Sequence, residues 1–326
     1  MTETTVPTGR WAPIYAERLP LIASFDRLYA DDFTPEDAAA VASWLEPFGP
    51  PEPTRADVED AEVAGPHGVV PVRIYRHADG ERSGAGLVWI HGGGFVNGGL
   101  DMPEADLVAR GLVTRTHAVV VSVDYRLCRD GVHHPVPHDD CWAVYEYVAG
   151  HASELGIDPA RIAVGGASAG GNLAASVALH GRDAGLVPWQ SLLAYPVAHA
   201  TLPEFSPELR NATRDMPRCL GFVERMRDMN ENYLGGSLEE HARDRYAFPG
   251  EAHDLSGLPP TYIENCEFDD LRATGERYAA QLADAGVDVT VVTAAGVPHG
   301  HLNAIGSPLT AASLDRFATR LAMPRG

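Results

Sequence analysis

The chain predicts an α/β fold: a mainly parallel, eight-stranded sheet with helices on both faces and a helical cap. Three observations predict it. Short apolar runs alternate with helical segments from about Leu87 onwards, the texture of a sheet buried on both sides. The small-residue turn Gly166-Ala167-Ser168-Ala169-Gly170 joins an apolar run to an alanine-rich helix, which marks a sharp strand-to-helix corner. The alternation then breaks at about 199–257, where Pro, Arg, Met and acidic residues accumulate without strand-like text, as an inserted lid would read.

Taken in order, the chain opens with helical pieces up to about Pro53. Tyr15 to Tyr29 sets Leu19, Ile22, Phe25, Leu28 and Tyr29 near one face, and Thr34-Pro35-Glu36-Asp37 supplies an N-cap followed by an N1 proline. After the proline-rich link Pro47 to Pro53, Val58 to Val63 and Val69 to Arg76 flank the turn Gly65-Pro66-His67-Gly68 and predict an antiparallel hairpin. Leu87 to Ile90 is the first fully apolar strand, and Pro103 to Thr116 the helix that crosses over to the second, Ala118 to Val123. A polar loop and a helix from about Asp139 to Ala149 follow. Ile162 to Val164 then feeds the serine turn, helix Asn172 to His180 leaves it, and Leu192 to Tyr195 is the next strand. Within the interruption, Cys219 to Tyr233 reads as helical. Thr261 to Asn265, helix Leu271 to Ala285, strand Val287 to Val292 and helix Ser307 to Leu321 complete the pattern.

Composition narrows the function. The 326 residues carry 45 acidic against 25 basic side chains, a formal net charge of −20. That charge disfavours nucleic acid and anionic membrane surfaces as partners. All of the basic residues are arginine, which removes Schiff-base lysines, P-loop lysines and Ser-Lys dyads. Cys128, Cys141, Cys219 and Cys266 are widely spaced and read as free thiols of a reducing compartment. Met1 to Pro13 lacks a charged-then-apolar leader pattern and no long apolar run follows, so a cytoplasmic protein is expected.

Chemistry enters with the glycines. In a G-x-S-x-G corner, Gly166 and Gly170 leave room for a strained turn that presents the Ser168 hydroxyl above the helix N-terminus. His91-Gly92-Gly93-Gly94-Phe95 follows the strand ending at Ile90, and consecutive glycines there let backbone N–H groups converge on one point, the construction of an oxyanion hole. A serine nucleophile needs a base, and the base an orienting acid, each placed after a later strand. Asp269 and Asp270 both qualify as the acid, with Glu264 and Glu267 as rivals. His299 is preferred over His301 as the base because a glycine follows it. His133, His134 and His138 lack a matching set of carboxylates or cysteines, so no metal is expected. The glycine pairs do not meet G-x-G-x-x-G in a strand-to-helix turn, so no dinucleotide cofactor is expected either.

These motifs together resemble the hormone-sensitive-lipase-like carboxylesterases, bacterial esterase family IV, of the α/β-hydrolase fold. His91-Gly-Gly-Gly-Phe95 is that family's HGGG signature, Gly165-Gly-Ala-Ser-Ala-Gly-Gly-Asn172 is similar to its G-D-S-A-G-G-N, and Asp124-Tyr-Arg-Leu127 to its D-Y-R-L. Glu267-Phe-Asp-Asp-Leu-Arg272 resembles its D-P-L-R element, which puts the acid at Asp269, and His299-Gly300 matches its H-G-F. The resemblance runs from about Val69 to the C-terminus. It implies that Gly93, Gly94 and Ala169 donate to the oxyanion, that His91 holds the glycine loop, and that no cofactor is used. It also implies a homodimer, with 1–53 as N-terminal cap helices and 54–326 as the catalytic domain, interrupted by the cap insertion. Three departures stand out. Ala167 replaces a polar residue before the nucleophile, Cys128-Arg129-Asp130 replaces A-P-E, and His301 replaces Phe, which puts a polar ring at the pocket rim.

The function expected from this set is hydrolysis of small carboxylic esters through a Ser168 acyl-enzyme, with activity falling on the acid side as His299 takes up a proton. The family implies a short acyl chain and a small alcohol, and Trp11, Phe25, Trp44, Phe222, Met226 and Met229 are the candidates for limiting the pocket. Amides, carbamates, lactones and acetylated metabolites share the same acyl-transfer chemistry. Dehydratases and ligand-binding receptors of this fold usually lack the nucleophile or the base, and here both Ser168 and His299 are present.

Overall fold

The computed structural model describes residues 10–26, 28, 34–241 and 244–324. Its centre is one sheet of eight strands: β1 (Ala56–Gly65), β2 (Gly68–His77), β3 (Gly86–Ile90), β4 (Val119–Val123), β5 (Ile162–Ala167), β6 (Ser191–Ala194), β7 (Thr261–Phe268) and β8 (Val289–Pro298). They lie in the order β1-β2-β4-β3-β5-β6-β7-β8, with β2 antiparallel to both β1 and β4 and every later pairing parallel. The residues of β3, β4 and β5 are buried throughout, which is why they read as unbroken apolar text rather than alternating.

Helices cover both faces. Val108, Leu112, Leu314 and Phe317, from helices Pro103–Thr116 and Pro308–Leu321, pack with Leu87, Trp89 and Val120 on one side. On the other, helices Val136–Gly150, Ala169–Ala184 and Arg272–Asp284 bring Val144, Leu173, Val177 and Leu282 against Val88, Val121 and Val164. Pro103 opens its helix as expected, whereas the helix after Ser168 runs over Ala169–Ala184, beyond the expected Asn172 to His180, until Gly185 closes it in a left-handed conformation at φ 75°.

Several boundaries differ from the sequence reading. Over Tyr15 to Tyr29 the helical text forms two single-turn helices, Pro13–Ala16 and Leu19–Ile22; Pro20 has no N–H to carry a helix across the join. Tyr29 lies outside the described residues. The helix at Thr34 forms as expected over Pro35–Leu45, closed by a reciprocal Thr34–Asp37 capping box. Strand β8 starts two residues after Val287 and runs on to Pro298, because the β7–β8 register shifts at Cys266/Phe268 and keeps the two strands paired up to the loops that follow them. In the interruption, helices Pro207–Thr213, Met226–Leu234 and Leu238–His241 and two 3₁₀ turns occur, with no strand among its described residues. The predicted continuous helix from Cys219 is broken by Gly221, which is extended at φ −82°, ψ 157°.

Candidate active site

Ser168 sits between β5 and helix Ala169–Ala184 at φ 55°, ψ −117°, a backbone conformation that side-chain-bearing residues rarely hold. Its N–H donates to Ala194 O at 2.9 Å, and its carbonyl accepts from Val197 N at 3.3 Å, so the end of β6 pins the corner. The glycines around it are steric necessities: a Cβ on Gly170 would lie 2.0 Å from Ile90 O, and one on Gly166 would lie 2.3 Å from Gly170 O. Strand β3 and the serine corner therefore approach backbone to backbone.

The loops after β7 and β8 bring the other two groups to this corner. His299 Nε2 lies 2.9 Å from Ser168 Oγ, and His299 Nδ1 lies 2.7 Å from Asp269 Oδ2. Asp269 is fully buried, and its Oδ1 accepts the Leu271 N–H at 2.9 Å. This arrangement keeps the proton on Nδ1 and leaves Nε2 to accept from the serine hydroxyl. Asp270 turns away: its Oδ2 accepts the backbone N–H groups of Phe222 and Val223 at 2.8 and 3.4 Å. Of the two neighbouring carboxylates, Asp269 is the one brought to the ring. The ring is further enclosed edge-on by Tyr195 at 4.8 Å and Phe222 at 4.7 Å between centroids.

The glycine loop lies across the same corner. Gly93 adopts φ 115°, and a Cβ there would lie 2.0 Å from Asn97 O, because the Gly93 carbonyl accepts the Asn97 N–H in a tight turn. Gly94 adopts φ 61°, with Met229 Sδ 3.2 Å from where its Cβ would be. Ala169, the first residue of the helix after Ser168, is fully buried. His91 lies beneath the loop, with Nδ1 2.7 Å from Gly92 O and its ring stacked on Tyr125 at 4.4 Å. Burial pushes the His91 imidazole down to about 4, so it is neutral at neutral pH, with Nδ1–H as donor.

The α/β-hydrolase fold family matches residues 87–303. The chain belongs to that family, in its hormone-sensitive-lipase-like branch. Over 245 residues it is 39% identical to carboxylesterase NlhH of Mycobacterium tuberculosis, covering 72% of each chain. Among solved structures, a hyperthermophilic esterase from the archaeon Pyrobaculum calidifontis superposes with a TM-score of 0.75 at 35% identity, covering 83% of this chain and 86% of that one. A mutant of esterase rPPE superposes with a TM-score of 0.81 at 29% identity over 98% of each chain.

The site of this α/β-hydrolase contains groups that motif reading does not find. Glu104, fully buried, accepts the Gly92 N–H at 2.9 Å and the Trp89 indole N–H at 2.6 Å, and burial pushes its carboxyl up to about 7. It hides in the sequence as an ordinary first-turn helix glutamate. Tyr125 donates its hydroxyl to His91 O at 3.1 Å, so the tyrosine of Asp124-Tyr-Arg-Leu127 supports the glycine loop.

His301 is not the exposed loop histidine its position suggests. It is buried, with Nε2 2.8 Å from Ser313 Oγ and Nδ1 3.3 Å from Cys266 Sγ, and burial pushes it down to about 4. Glu264, weighed as an acid, is buried against Arg316, while Glu267 accepts the Gly296 N–H at 2.7 Å. Neither makes the 2.7 Å contact to the His299 ring that Asp269 makes.

A cavity of ≈490 Å³ opens beside His299, lined by Tyr15, Trp44, Phe48, Met102 and Leu220 among others. The larger hollow of ≈690 Å³, lined by His199, Glu204, Phe205, Arg210 and Arg277 among others, is open and touches none of Ser168, Asp269 or His299. Of the residues expected to limit the pocket, Trp44 lines this cavity, Met229 faces Gly94, and Phe222 meets the His299 ring. Trp11 instead stacks on Phe268, Phe25 packs with the apolar cluster around Trp44, and Met226 is buried with Val197 and Leu271.

The loop histidines are dispersed: His134 pairs with Asp244 at 3.0 Å, His138 sits between Ser176 and His180, and His133 meets Asn232 O. His77, Asp79 and His117 bring three potential metal ligands together at the opposite end of the sheet. The two imidazoles are stacked at 3.9 Å and 25°, and both Nδ1 atoms approach Asp79 Oδ1, at 2.6 Å from His77 and 3.7 Å from His117.

Proposed function

We propose that this chain is a serine carboxylesterase that hydrolyses small esters of short carboxylic acids. The observation that carries the reading is the continuous path from Ser168 Oγ through His299 to Asp269, at 2.9 and 2.7 Å. Along it, His299 takes the hydroxyl proton as Ser168 attacks the ester carbonyl, and Asp269 stabilises the imidazolium that forms. The N–H groups of Gly93, Gly94 and Ala169 receive the charge that develops on the carbonyl oxygen. His299 then returns its proton to the leaving alcohol. A water, deprotonated by the same ring, releases the acid from Ser168 and restores the enzyme.

The N-terminal segment up to Pro53 and the 199–257 insertion act together as a cap over this site. Trp44 and Phe48 on one side and Phe222 and Met229 on the other support that role. The same apolar side chains favour a compact, uncharged substrate. All four cysteines are buried and unbridged, in keeping with a reducing cytoplasmic setting. Among the described residues no helix is long and apolar enough to cross a membrane.

The test is a series of p-nitrophenyl esters from acetate to decanoate, run on the purified protein and on Ser168→Ala. Hydrolysis falling with chain length, together with loss of both turnover and organophosphonate labelling in the variant, is expected. Ester hydrolysis retained by Ser168→Ala overturns the assignment.

A further inference from the structure

We propose that Asp270 is a positioning residue that ties the 199–257 insertion to the catalytic imidazole, and so sets how closely the site closes on a bound ester. The inference rests on the esterase reading above, but the tie itself is a matter of geometry. Asp270 is buried, and its Oδ2 accepts the N–H groups of two consecutive insertion residues, Phe222 at 2.8 Å and Val223 at 3.4 Å. Phe222 in turn meets the His299 ring edge-on, at 4.7 Å and 69°. Two adjacent residues therefore hold the imidazole from different directions: Asp269 through Nδ1, and Asp270 through the segment that carries Phe222.

The turn around Phe222 is shaped for this contact. Arg225 Nε donates to Gly221 O at 3.0 Å, Arg225 Nη2 donates to Cys219 O at 3.3 Å, and the guanidinium lies over the Phe222 ring at 4.9 Å. Arg225 thus takes the carbonyls of this turn, while Asp270 takes its Phe222 and Val223 N–H groups. A Cβ on Gly221 would come within 2.9 Å of Asp270 Oδ2. A glycine at 221 is therefore what lets the carboxylate approach. In the D-P-L-R element that this stretch resembles, proline holds the place of Asp270 and offers no side-chain acceptor. The tie thus belongs to this chain's own residues rather than to the general triad scaffold.

The consequence falls on substrate binding. Proton transfer runs through the Ser168–His299–Asp269 contacts, which Asp270 does not make, whereas the wall beside the imidazole depends on Phe222 staying in place. Removing the acceptor strands two backbone donors and frees the wall while leaving the proton path intact.

The experiment compares Asp270→Ala, Asp270→Asn, Gly221→Ala and Phe222→Ala in the full chain, using trypsin cleavage after the exposed Arg218 together with kcat and KM on p-nitrophenyl butyrate. Asp270→Ala is expected to speed cleavage and raise KM, each on the order of tenfold, the scale of losing a hydrogen bond to a buried charged acceptor, with kcat changed less than about threefold. Asp270→Asn keeps an oxygen acceptor and restores most of both. Gly221→Ala reproduces the Asp270→Ala effect by displacing the carboxylate, and combining Phe222→Ala with Asp270→Ala adds little to KM.

Unchanged cleavage and KM in both Asp270→Ala and Gly221→Ala overturns the proposal. So does a loss in Asp270→Ala that falls on kcat, or a failure of Asn to restore. The cleavage assay needs no turnover, so loss of the esterase reading through Ser168→Ala and loss of the tie are separate results.

Discussion

Glu104 Oε2 accepts the Gly92 N–H at 2.9 Å, so a buried carboxyl anchors the loop that carries Gly93 and Gly94 from beneath. Its other oxygen takes the Trp89 indole N–H at 2.6 Å. Truncation by Glu104→Ala leaves both donors unpaired in the interior and lets the loop drift. A fall in kcat of about 10²–10³ is expected, the scale of a lost oxyanion donor, with a smaller fall for Glu104→Gln.

The same residue carries a pH signature. Burial raises its carboxyl from 4.5 to about 7, so between those values the folded chain keeps a proton that the unfolded chain releases. Its contribution to stability therefore declines as pH rises through that window. Between pH 5 and pH 7 the change in urea midpoint is expected to be more positive for Glu104→Gln than for the parent, by about one proton's worth of slope; equal slopes would refute this.

Asp269 and Asp270 differ by one position and are expected to differ by orders of magnitude. Asp269→Asn disturbs the tautomer held at His299 Nδ1 and should lower kcat by about 10⁴, whereas Asp270→Asn should keep kcat within about threefold because an amide oxygen still accepts the Phe222 N–H. Steady-state kinetics on one ester rank the two. The opposite ranking moves the acid by one residue.

The glycines of the loop are not equivalent. Gly93→Ala forces a Cβ to within 2.0 Å of the Asn97 carbonyl at φ 115°, whereas Gly94→Ala bears the strain of a left-handed φ of 61° and meets the flexible end of Met229 at 3.2 Å. Gly93→Ala should abolish turnover and lower the melting temperature. Gly94→Ala should fold with reduced but measurable activity, and Met229→Ala should restore part of what is lost.

His301 is held neutral in the core, lowered from 6.5 to about 4 by burial. Between those values the unfolded chain binds a proton that the folded chain refuses, so stability is lost as pH falls from about 6.5 towards 4, at about 1.4 kcal/mol per pH unit for one group. Two further buried imidazoles, His91 at about 4 and His138 at about 3, act in the same direction, and Glu104 acts against them. Denaturation of His301→Gln at pH 6.5 and pH 5 should show a slope shallower by one proton. An unchanged slope would mean that the ring is already protonated in the folded chain.

What could be read from the residues and what could not divides along physical lines. Leu87 to Ile90 and Ala118 to Val123 were legible because buried parallel strands must be apolar throughout, and the serine corner because only glycine fits at Gly166 and Gly170. Sequence proximity could not separate Asp269 from Asp270. That choice lies in the direction each carboxylate takes after β7, one towards His299 and the other towards Phe222. Glu104 was invisible because its partners, Gly92 and Trp89, meet it only when strand β3 packs against the following helix.

Trp11 stacks on Phe268 at 4.0 Å and 8°, and Ala12 N–H donates to Gly296 O at 2.9 Å. Phe268 immediately precedes Asp269, and Gly296 lies three residues before His299. The first described residues are thus wedged against the roots of both loops that orient the base. A truncation that removes Trp11 and Ala12 is consequently a catalytic perturbation and not a trimming of the surface. A change at Trp11 acts on the two loops at once, although Trp11 stacks on Phe268 and not on the base.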